Sequence, residues 1–533
     1  MSDVPPDSSL RPNIAKAGLI MTASLLLSRV LGIVRDAVIA GMFGSNEFTD
    51  AYRLAFSVPD LLFFLIAGGA LSSAFIPVFS EYLHTNRERD AWHVFSVVAT
   101  LMSILVVAFI VAAWIFALPL SRIVAPGKPD EILPLIAEMS RIILPAQYAF
   151  FIGGLMFGTL YSRQVFTVPG LGPNIYNLGI IFGAVALSWF FTPGVVGMSW
   201  GALGGAVVGN LVIPYIAMRK IGLQFHLSLD LRHPGVRKVF RLMLPVVLGL
   251  SLPGVYGLIT QAMGSFFEAG TNTALDFANK LMQAPLGVFG QSLAIAVFPA
   301  LTQFFAQQRM DLFRGALEST MRTVIAITVP ISVVMMVMAP QIVGIVYEHG
   351  AFDAGAAAST AEALRLFSIG VSAWCLHPVL MRAFFSIQQT VVPIVLGTLT
   401  TVVFVGLIAA FWQTPLGYLG LPLASSLSAV FLVVVLTVSV SKKIGGLDYS
   451  GLLTTFGKSL VASVPVALIG SGVAFTPIAD RIAGQKLPTV AATGIAVLLA
   501  VWAFSMVAHA LGMPEAKYVD RAVERFRRKR KSA

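Results

Sequence analysis

The chain has 533 residues, of which 57% are hydrophobic and only 11% are charged, with a formal net charge of +11. Soluble globular proteins carry about 25% charged residues, so this composition excludes them and indicates an all-α polytopic membrane protein. The N-terminal stretch MSDVPPDSSLRPN lacks the basic start and short apolar core of a signal peptide, so none is expected. A single cysteine, Cys375, excludes an intrachain disulfide and a cysteine-rich metal site, and we expect neither metal nor cofactor.

Apolar windows of about 20 residues, the length that crosses a bilayer, predict fourteen transmembrane helices. The second and eighth windows are long, and Pro59 and Pro285 interrupt them. The predicted spans are 15–43, 51–80, 92–118, 133–161, 171–191, 196–217, 243–265, 274–305, 317–339, 361–388, 392–412, 418–440, 453–475 and 488–511.

The charges of the loops predict the orientation. LHTNRERDAW and SKKIGG are basic, whereas FFTPGVVG, EAGTNTA and WQTPLGY carry no lysine or arginine. Because basic loops remain in the cytoplasm, both termini are expected there, together with the basic tail RAVERFRRKRK. This tail predicts contact with anionic membrane lipids and not with nucleic acid, since the patch is small beside the membrane domain.

The second and eighth spans resemble each other. TDAYRLAFSVP at 49–59 and LDFANKLMQAP at 275–285 each have an aspartate followed nine residues later by a proline. The copies lie six spans apart and therefore share one topology, which predicts two six-helix lobes related by an axis along the membrane normal. Helices 13 and 14 remain outside the repeat, and a substrate site is expected between the lobes near mid-membrane.

This organisation divides the chain into five segments. They are a cytoplasmic tail at 1–14, an N-terminal lobe at 15–220, a C-terminal lobe with its preceding cytoplasmic loop at 221–441, helices 13 and 14 at 442–512, and a basic cytoplasmic tail at 513–533.

Charged residues occur inside the first predicted span, where each costs roughly 2.5–3.5 kcal/mol on insertion scales. Arg29 and Asp36 are seven residues apart and lie on nearly the same helical face, while Ser28 and Arg35 share another face. We expect these side chains to line a cavity or to face a neighbouring helix, and not lipid. The alternative for Arg35 and Asp36 is a neutralised packing pair near the membrane edge.

The second and eighth spans contribute further charges. Arg53 and Asp60 are seven residues apart and are predicted to share a face. Asp50 lies at a helix start, where an N-cap is the alternative role, and the same alternative applies to Asp276. Lys280 follows Asp276 by four residues, so an intrahelical ion pair is its alternative.

Together these residues predict a cationic cavity lined by broken helices. The cavity cations are Arg29, Arg35, Arg53 and Lys280, and the prolines expected to break helices are Pro59, Pro77, Pro285 and Pro299. Guanidinium groups bind phosphate oxygens bidentately, so a large phosphate-bearing anion is the expected substrate. The sequence has no HExxH or GxxxxGK[ST] motif, and we expect no enzyme activity and no use of ATP by this chain.

SRVLGIVRDAVIAGMFG, TDAYRLAFSVPDLL and GALSSAFIPVFSEY resemble the MurJ/MviN family of lipid II flippases, within the multidrug/oligosaccharidyl-lipid/polysaccharide exporter superfamily. YEHGAFD at 347–353 extends the resemblance towards the C-terminus. The resemblance implies two lobes around a cationic cavity and a groove between helices 13 and 14 for an undecaprenyl tail. It also implies that lipid-linked peptidoglycan precursor moves from the cytoplasmic to the periplasmic leaflet of the bacterial inner membrane.

Within this resemblance, the family's first-span arginines match Arg29 and Arg35, and two of its acids match Asp36 and Asp50. The sequence departs from the family in two places. The basic pair and the acid of the family's LLRRxxxEGA motif are replaced by Phe63, Phe64 and Gly68, and its eighth-span arginine by Lys280. Lysine does not reproduce the bidentate fork of arginine, so the exact lipid-linked substrate stays open.

Three functions follow from these observations. The first is a flippase for lipid II that works by alternating access and is reset by the membrane potential or an ion gradient. The second, which the missing basic pair suggests, is an exporter of another polyprenyl-linked glycan or of an amphipathic drug. The third is a non-transporting scaffold for cell-wall synthesis proteins, which the buried cations disfavour.

Overall fold

The computed structural model describes residues 10–66, 70–474 and 486–515, and the regular elements in these ranges are all helical. The chain divides into two compact units. The first consists of Met1–Thr273 with Gly350–Phe352, and the second of Ala274–His349 with Asp353–Ala533. The first unit thus includes the helix that follows residue 221, where the sequence repeat places the start of the second lobe.

The described helices of the first unit are mostly long and apolar. They are α1 (Leu10–Phe43), α2 (Glu47–Ala55), α3 (Ser57–Ile66), α4 (Ala70–His84), α5 (Glu88–Ile115), α6 (Ala117–Val124), α7 (Leu133–Ile143), α8 (Ala146–Ser162), α9 (Thr167–Val185), α10 (Val195–Ala206), α11 (Ile213–Lys220) and α12 (Pro234–Gly264). A π-helical turn, Val207–Val212, joins α10 to α11. The core lies where α4, α5, α8 and α12 meet, around Phe79, Trp92, Leu155 and Val236.

Helix α13 (Thr271–Pro285) begins at the end of the first unit and continues into the second. It is followed by α14 (Gln291–Ala306), α15 (Met310–Val337), α16 (Ala339–Val346), α17 (Ala354–Ile369), α18 (Val371–Ser386), α19 (Val391–Trp412), α20 (Gly420–Ile444), α21 (Tyr449–Ala462), α22 (Val464–Ala474) and α23 (Lys486–Ala510). Part of the core of the second unit joins α15, α21, α22 and α23 through Ala326, Ala462, Val466 and Phe504.

Within the described ranges, nine helices are long and apolar enough to cross a membrane, and a tenth results if α17 and α18, bent by 46°, form one span. The chain is therefore a multi-pass helical membrane protein, as its composition predicts. Each predicted span overlaps described helix, but the span predicted at 51–80 is divided among α2, α3 and α4.

The prolines disturb the helices less than predicted. Pro59 lies in the first turn of α3, where the missing N–H has no intrahelical partner to lose, and the interruption falls earlier, at Phe56. Pro77 and Pro299 lie inside α4 and α14, which continue on both sides, so the predicted breaks there are wrong. Membrane helices tolerate interior proline because neighbouring groups and local adjustment satisfy the freed carbonyl. Pro285 ends α13, and a π-helical turn follows it.

The same order of element lengths occurs in both units. Helices α5 and α15 contain 28 residues each, and the eight-residue helices α6 and α16 follow them. Arg87 and Arg309 occupy the two N-cap positions, directly after Asn86 (φ 58°) and Gln308 (φ 57°).

Glycines bring α9 and α10 into backbone contact. A Cβ atom added to Gly201 would lie 2.4 Å from the carbonyl oxygen of Gly179 and 2.7 Å from Cα of Gly183. Gly205 also packs on α9, 3.1 Å from Cα of Gly179 by the same measure. Glycines four residues apart allow membrane helices to approach closely, where dispersion contacts replace the missing hydrophobic drive.

We predict that Gly201→Ala separates α9 from α10 and destabilises the protein by about 1–3 kcal/mol, the usual cost of overpacking. Gly204→Ala is the matched control, because an added Cβ at Gly204 meets no atom within 4 Å in the same helix. Thermal unfolding of the detergent-solubilised variants, followed by size-exclusion chromatography, measures the difference. Equal melting temperatures for the two variants would contradict the proposed close contact.

Candidate functional site

One face of α1 packs against α9 through polar groups. Asn174 and Asn177 donate through Nδ2 to the backbone oxygens of Ser24 and Ser28, at 3.3 and 3.2 Å. Arg35 donates through Nη1 to Oδ1 of Asn177 at 2.9 Å. Since Ser28 and Arg35 both contact Asn177, the prediction that they share one face is confirmed. This face of α1 is turned to a neighbouring helix.

The carboxylate of Asp36 lies between two guanidinium groups. Nε and Nη2 of Arg35 donate to Oδ1 of Asp36 at 3.1 and 2.9 Å, and Nη2 of Arg53 lies 3.5 Å from the same oxygen. The Asp36 side chain is 2% exposed and that of Arg53 8%. We call these three residues the Asp36 cluster. The expected Arg35–Asp36 pair is present, and with Arg53 added the cluster carries one net positive charge.

The shared face of Arg53 and Asp60 stays a prediction, and the chain between them is interrupted at Phe56. Helix α2 ends at Ala55 and α3 begins at Ser57, so the two residues belong to different helices. Arg53 is buried beside Asp36, whereas Asp60 is exposed in the first turn of α3.

Arg29 differs from the other arginine of α1. It is exposed, and it forms no ion pair with any residue in the described part of the chain. On an ideal helix it points about 120° away from Arg35, so it lies off the face that packs on α9. The cation of Arg29 therefore remains available to an anion outside the protein.

Asp50 is buried in a hydrogen-bonded network. Lys128 donates to it through Nζ at 2.8 Å, the N–H of Gly270 at 2.9 Å, and both the N–H and the hydroxyl of Thr273 at 2.8 Å. The N-cap of α2 is Asn46, so the alternative role of Asp50 as an N-cap is wrong. Asp50 lies four residues after the N-cap and connects α2 to two distant segments, at Lys128 and at residues 270–273.

Asp276 and Lys280 form an ion pair within α13 of the second unit. Lys280 Nζ lies 2.7 Å from Oδ2 of Asp276, and the side chains are 29% and 19% exposed. The alternative of an intrahelical pair is thus observed, and the N-cap role for Asp276 is wrong because α13 begins at Thr271. The side chains of Phe63 and Phe64 and the whole of Gly68 lie outside the described residues.

Two residues of these networks, Asn177 and Lys128, were not predicted from the sequence. Asn177 had a detectable signal, because an amide in the middle of an apolar span needs a partner. Lys128 had none, since it lies in a proline-flanked loop 78 residues from Asp50. In the described ranges, no group of three histidine, cysteine or acidic side chains is arranged to hold a metal ion.

We predict that Asp36→Asn destabilises the protein by about 3–5 kcal/mol, because two buried guanidiniums lose their shared carboxylate. Asp130→Asn is the matched control: Asp130 pairs with Arg122 at 3.0 Å, but the two side chains are 78% and 63% exposed. Such an exposed pair contributes about 0–1 kcal/mol. Thermal or denaturant unfolding in detergent compares the variants, and a control loss as large as that of Asp36→Asn would contradict the assignment.

For the Asp50 network we predict strong coupling between its charged members. Asp50→Asn and Lys128→Met each leave a buried charge without its partner, whereas the double variant removes both charges. The double variant should therefore be more stable than the sum of the single effects allows, by about 0.5–3 kcal/mol. A double-mutant cycle of unfolding free energies measures this coupling, and simple additivity would exclude it.

The sequence has relatives of known class. The family model described as lipid II flippase MurJ matches residues 39–480. The lipid II flippase MurJ of Burkholderia cenocepacia is 28% identical over 401 residues, which cover 73% of this chain and 76% of the relative. A protein of Vibrio cholerae described as "Probable lipid II flippase MurJ" is 29% identical over 436 residues, 78% of this chain and 81% of the relative.

Solved structures share the fold. A structure described as lipid II flippase MurJ in an inward closed conformation aligns with a TM-score of 0.76 and 21% identity, covering 92% of this chain and 99% of the other. An inward-facing multidrug transporter of the MATE family aligns with a TM-score of 0.66 and 17% identity, covering 80% and 98%. Since the family model matches well over half of its residues, the chain belongs to the lipid II flippase MurJ family.

Proposed function

We propose that this protein moves lipid II, the undecaprenyl-pyrophosphate-linked peptidoglycan precursor, from the cytoplasmic to the periplasmic leaflet of the bacterial inner membrane by alternating access. Membership of the flippase family supports this function. The observation that carries it is the exposed Arg29 within an apolar helix, without a compensating carboxylate among the described residues. A charge of this kind in a membrane protein indicates a ligand or a transport path.

The pyrophosphate of lipid II is the proposed ligand of the cations. Arg29 contacts the phosphate oxygens, because no carboxylate among the described residues pairs with its guanidinium. Arg35 and Arg53 act through the net positive charge of the Asp36 cluster, and Lys280 is the cation contributed by the second sequence copy. The residues assigned to cavity charge and gating are Ser28, Asp36, Asp50, Asp60, Asp276, Pro59 and Pro285.

We further propose that the chain has fourteen spans in two six-helix lobes, 15–220 and 221–441, related by a parallel repeat. The equal lengths of α5 and α15, and of α6 and α16, support this repeat. The thirteenth and fourteenth predicted spans, within 442–512, then supply the groove for the undecaprenyl tail. Both termini, 1–14 and 513–533, lie in the cytoplasm according to the loop charges.

Return of the transporter to its starting conformation requires energy from a source other than a reaction catalysed by this chain. The proposed source is the membrane potential or an ion gradient, since the sequence has no nucleotide-binding motif. Moving one elementary charge across 100 mV releases about 2.3 kcal/mol, enough to bias a two-state transporter. Cell-wall synthesis proteins are proposed partners that supply and consume the precursor.

A second candidate function is export of another polyprenyl-linked glycan. Phe63, Phe64 and Gly68 replace the basic pair and the acid of the family motif, and this departure favours a different headgroup. The anchor and the pyrophosphate would be the same, so only the sugar and peptide would differ. The same assay distinguishes the two functions.

The test is complementation of a bacterium depleted of its lipid II flippase. We expect the chain to restore growth and lipid II translocation, and Arg29→Ala to reduce translocation about 10–100-fold, the value of a charge-assisted hydrogen bond of roughly 1.5–3 kcal/mol. Because Arg29 is exposed and forms no ion pair with a described residue, the variant should retain normal membrane levels and melting temperature. Arg122→Ala, in an exposed surface pair, is the control.

The outcomes separate the candidates. Undiminished translocation by Arg29→Ala at normal membrane levels would contradict the role of this cation. Failure of the unmodified chain to rescue, with transport of a different lipid-linked glycan, would identify the second function. Restored growth without any lipid II translocation by this chain would identify a scaffold.

A further inference from the structure

The segment that connects α11 to α12 has two different faces. Residues 223–230 have no regular secondary structure, and large apolar residues alternate with polar ones along the segment. Four large apolar residues of this stretch are 50, 82, 60 and 55% exposed, respectively Phe225, Leu227, Leu229 and Leu231. We call these four residues the apolar ridge. The residues that alternate with them are polar, namely Gln224, His226, Ser228 and Asp230. We refer to these as the polar side of the segment.

The polar side of the segment is attached to α5. His93 lies with Nδ1 at 2.9 Å from Nε2 of His226 and with Nε2 at 3.3 Å from Oδ2 of Asp230. The hydroxyl of Ser96 accepts from the N–H of His226 at 3.2 Å and donates to the carbonyl of Gln224 at 3.4 Å. Helix α5 thus contacts the segment through polar groups, and the apolar ridge remains exposed.

The attachment also determines the depth of the segment. Helix α5 is one of the described helices that qualify as a membrane span, and its last formally charged residue is Asp90. Ser96 lies six residues further on, about 9 Å along the axis at 1.5 Å per residue. The segment therefore runs beside the first uncharged turns of α5, directly after its charged start.

The surroundings of the ridge are strongly basic. Between residues 219 and 241 the acid is Asp230, against six basic residues: Arg219, Lys220, Arg232, Arg237, Lys238 and Arg241. The N–H of Arg232 and the ring of His93 lower the pKa of Asp230, which keeps this carboxylate charged as a hydrogen-bond acceptor. The charge complements an anionic lipid surface and opposes binding of a second copy or of the chain's own basic tail.

We propose that the apolar ridge inserts into the acyl-chain boundary of an anionic phospholipid leaflet and anchors the connection between α11 and α12 in the plane of the membrane. The exposed apolar side chains, the basic flanks and the depth set by Ser96 together meet the requirements of an interfacial anchor. This anchor acts independently of which lipid-linked substrate the protein moves.

Site-directed fluorescence quenching tests the anchor. Cys375 is the one cysteine of the sequence, so Cys375→Ala gives a cysteine-free background. Leu227→Cys places a label on the ridge, and Gln224→Cys places the matched control on the polar side. Each full-length variant is labelled with a nitrobenzoxadiazole maleimide and reconstituted into vesicles of phosphatidylethanolamine and phosphatidylglycerol. Monodisperse elution and retained complementation verify that both variants fold.

We expect lipid-borne doxyl groups near the headgroup to quench the label at position 227 several-fold more strongly than the label at 224. Aqueous iodide should show the opposite order, and vesicles of phosphatidylcholine alone should weaken the doxyl quenching at 227. Equal quenching at the two positions would overturn the anchor. Shielding at 227 that disappears when the protein is diluted in lipid would identify a second copy as the occupant and would also overturn it. Undiminished quenching in phosphatidylcholine would overturn the requirement for anionic lipid.

Discussion

The carboxylate of Asp36, buried between the guanidiniums of Arg35 and Arg53, is the interaction on which the polar organisation of the first unit depends. In a low dielectric an isolated charge is costly, and a shared carboxylate compensates two guanidiniums at once. It connects α1 to α2, and the remaining donor of Arg35 reaches Asn177 on α9. The position of α1 is thus coupled to two other helices through one acid.

The close packing of α9 follows from the same constraint. The asparagines of α9 reach the backbone of α1 on one side of the helix, and the other side of α9 packs on α10. Gly179 and Gly183 permit this, because their backbones touch Gly201 of α10. The glycines of α9 and α10 therefore help to position the asparagines of α9 against α1. One turn before Arg53 in α2, the buried Asp50 network performs a similar role by joining Lys128 and Thr273.

The charges inside the spans fall into two groups with different consequences. Arg35, Arg53 and Lys280 each have a carboxylate partner, so their substitution changes stability as well as function. Arg29 is exposed and forms no ion pair with another described residue, so its charge is available to a substrate. This division explains how a membrane protein can retain several cations in its spans and still fold. Carboxylates pair with three of these cations, and Arg29 is the one proposed to bind the substrate.

Composition and apolar periodicity alone determined the helical membrane class, and the motifs of the first two spans determined the family. Helical spacing also placed Ser28 and Arg35 on one face correctly and anticipated the Asp276–Lys280 pair, because both depend only on the geometry of one helix. Only the tertiary structure decided that Arg53 pairs with Asp36 and that Lys128 reaches Asp50, since these partners lie far apart in the chain or across a helix interruption. Local spacing holds no information about which helices meet, and in a membrane that choice decides which charges are compensated.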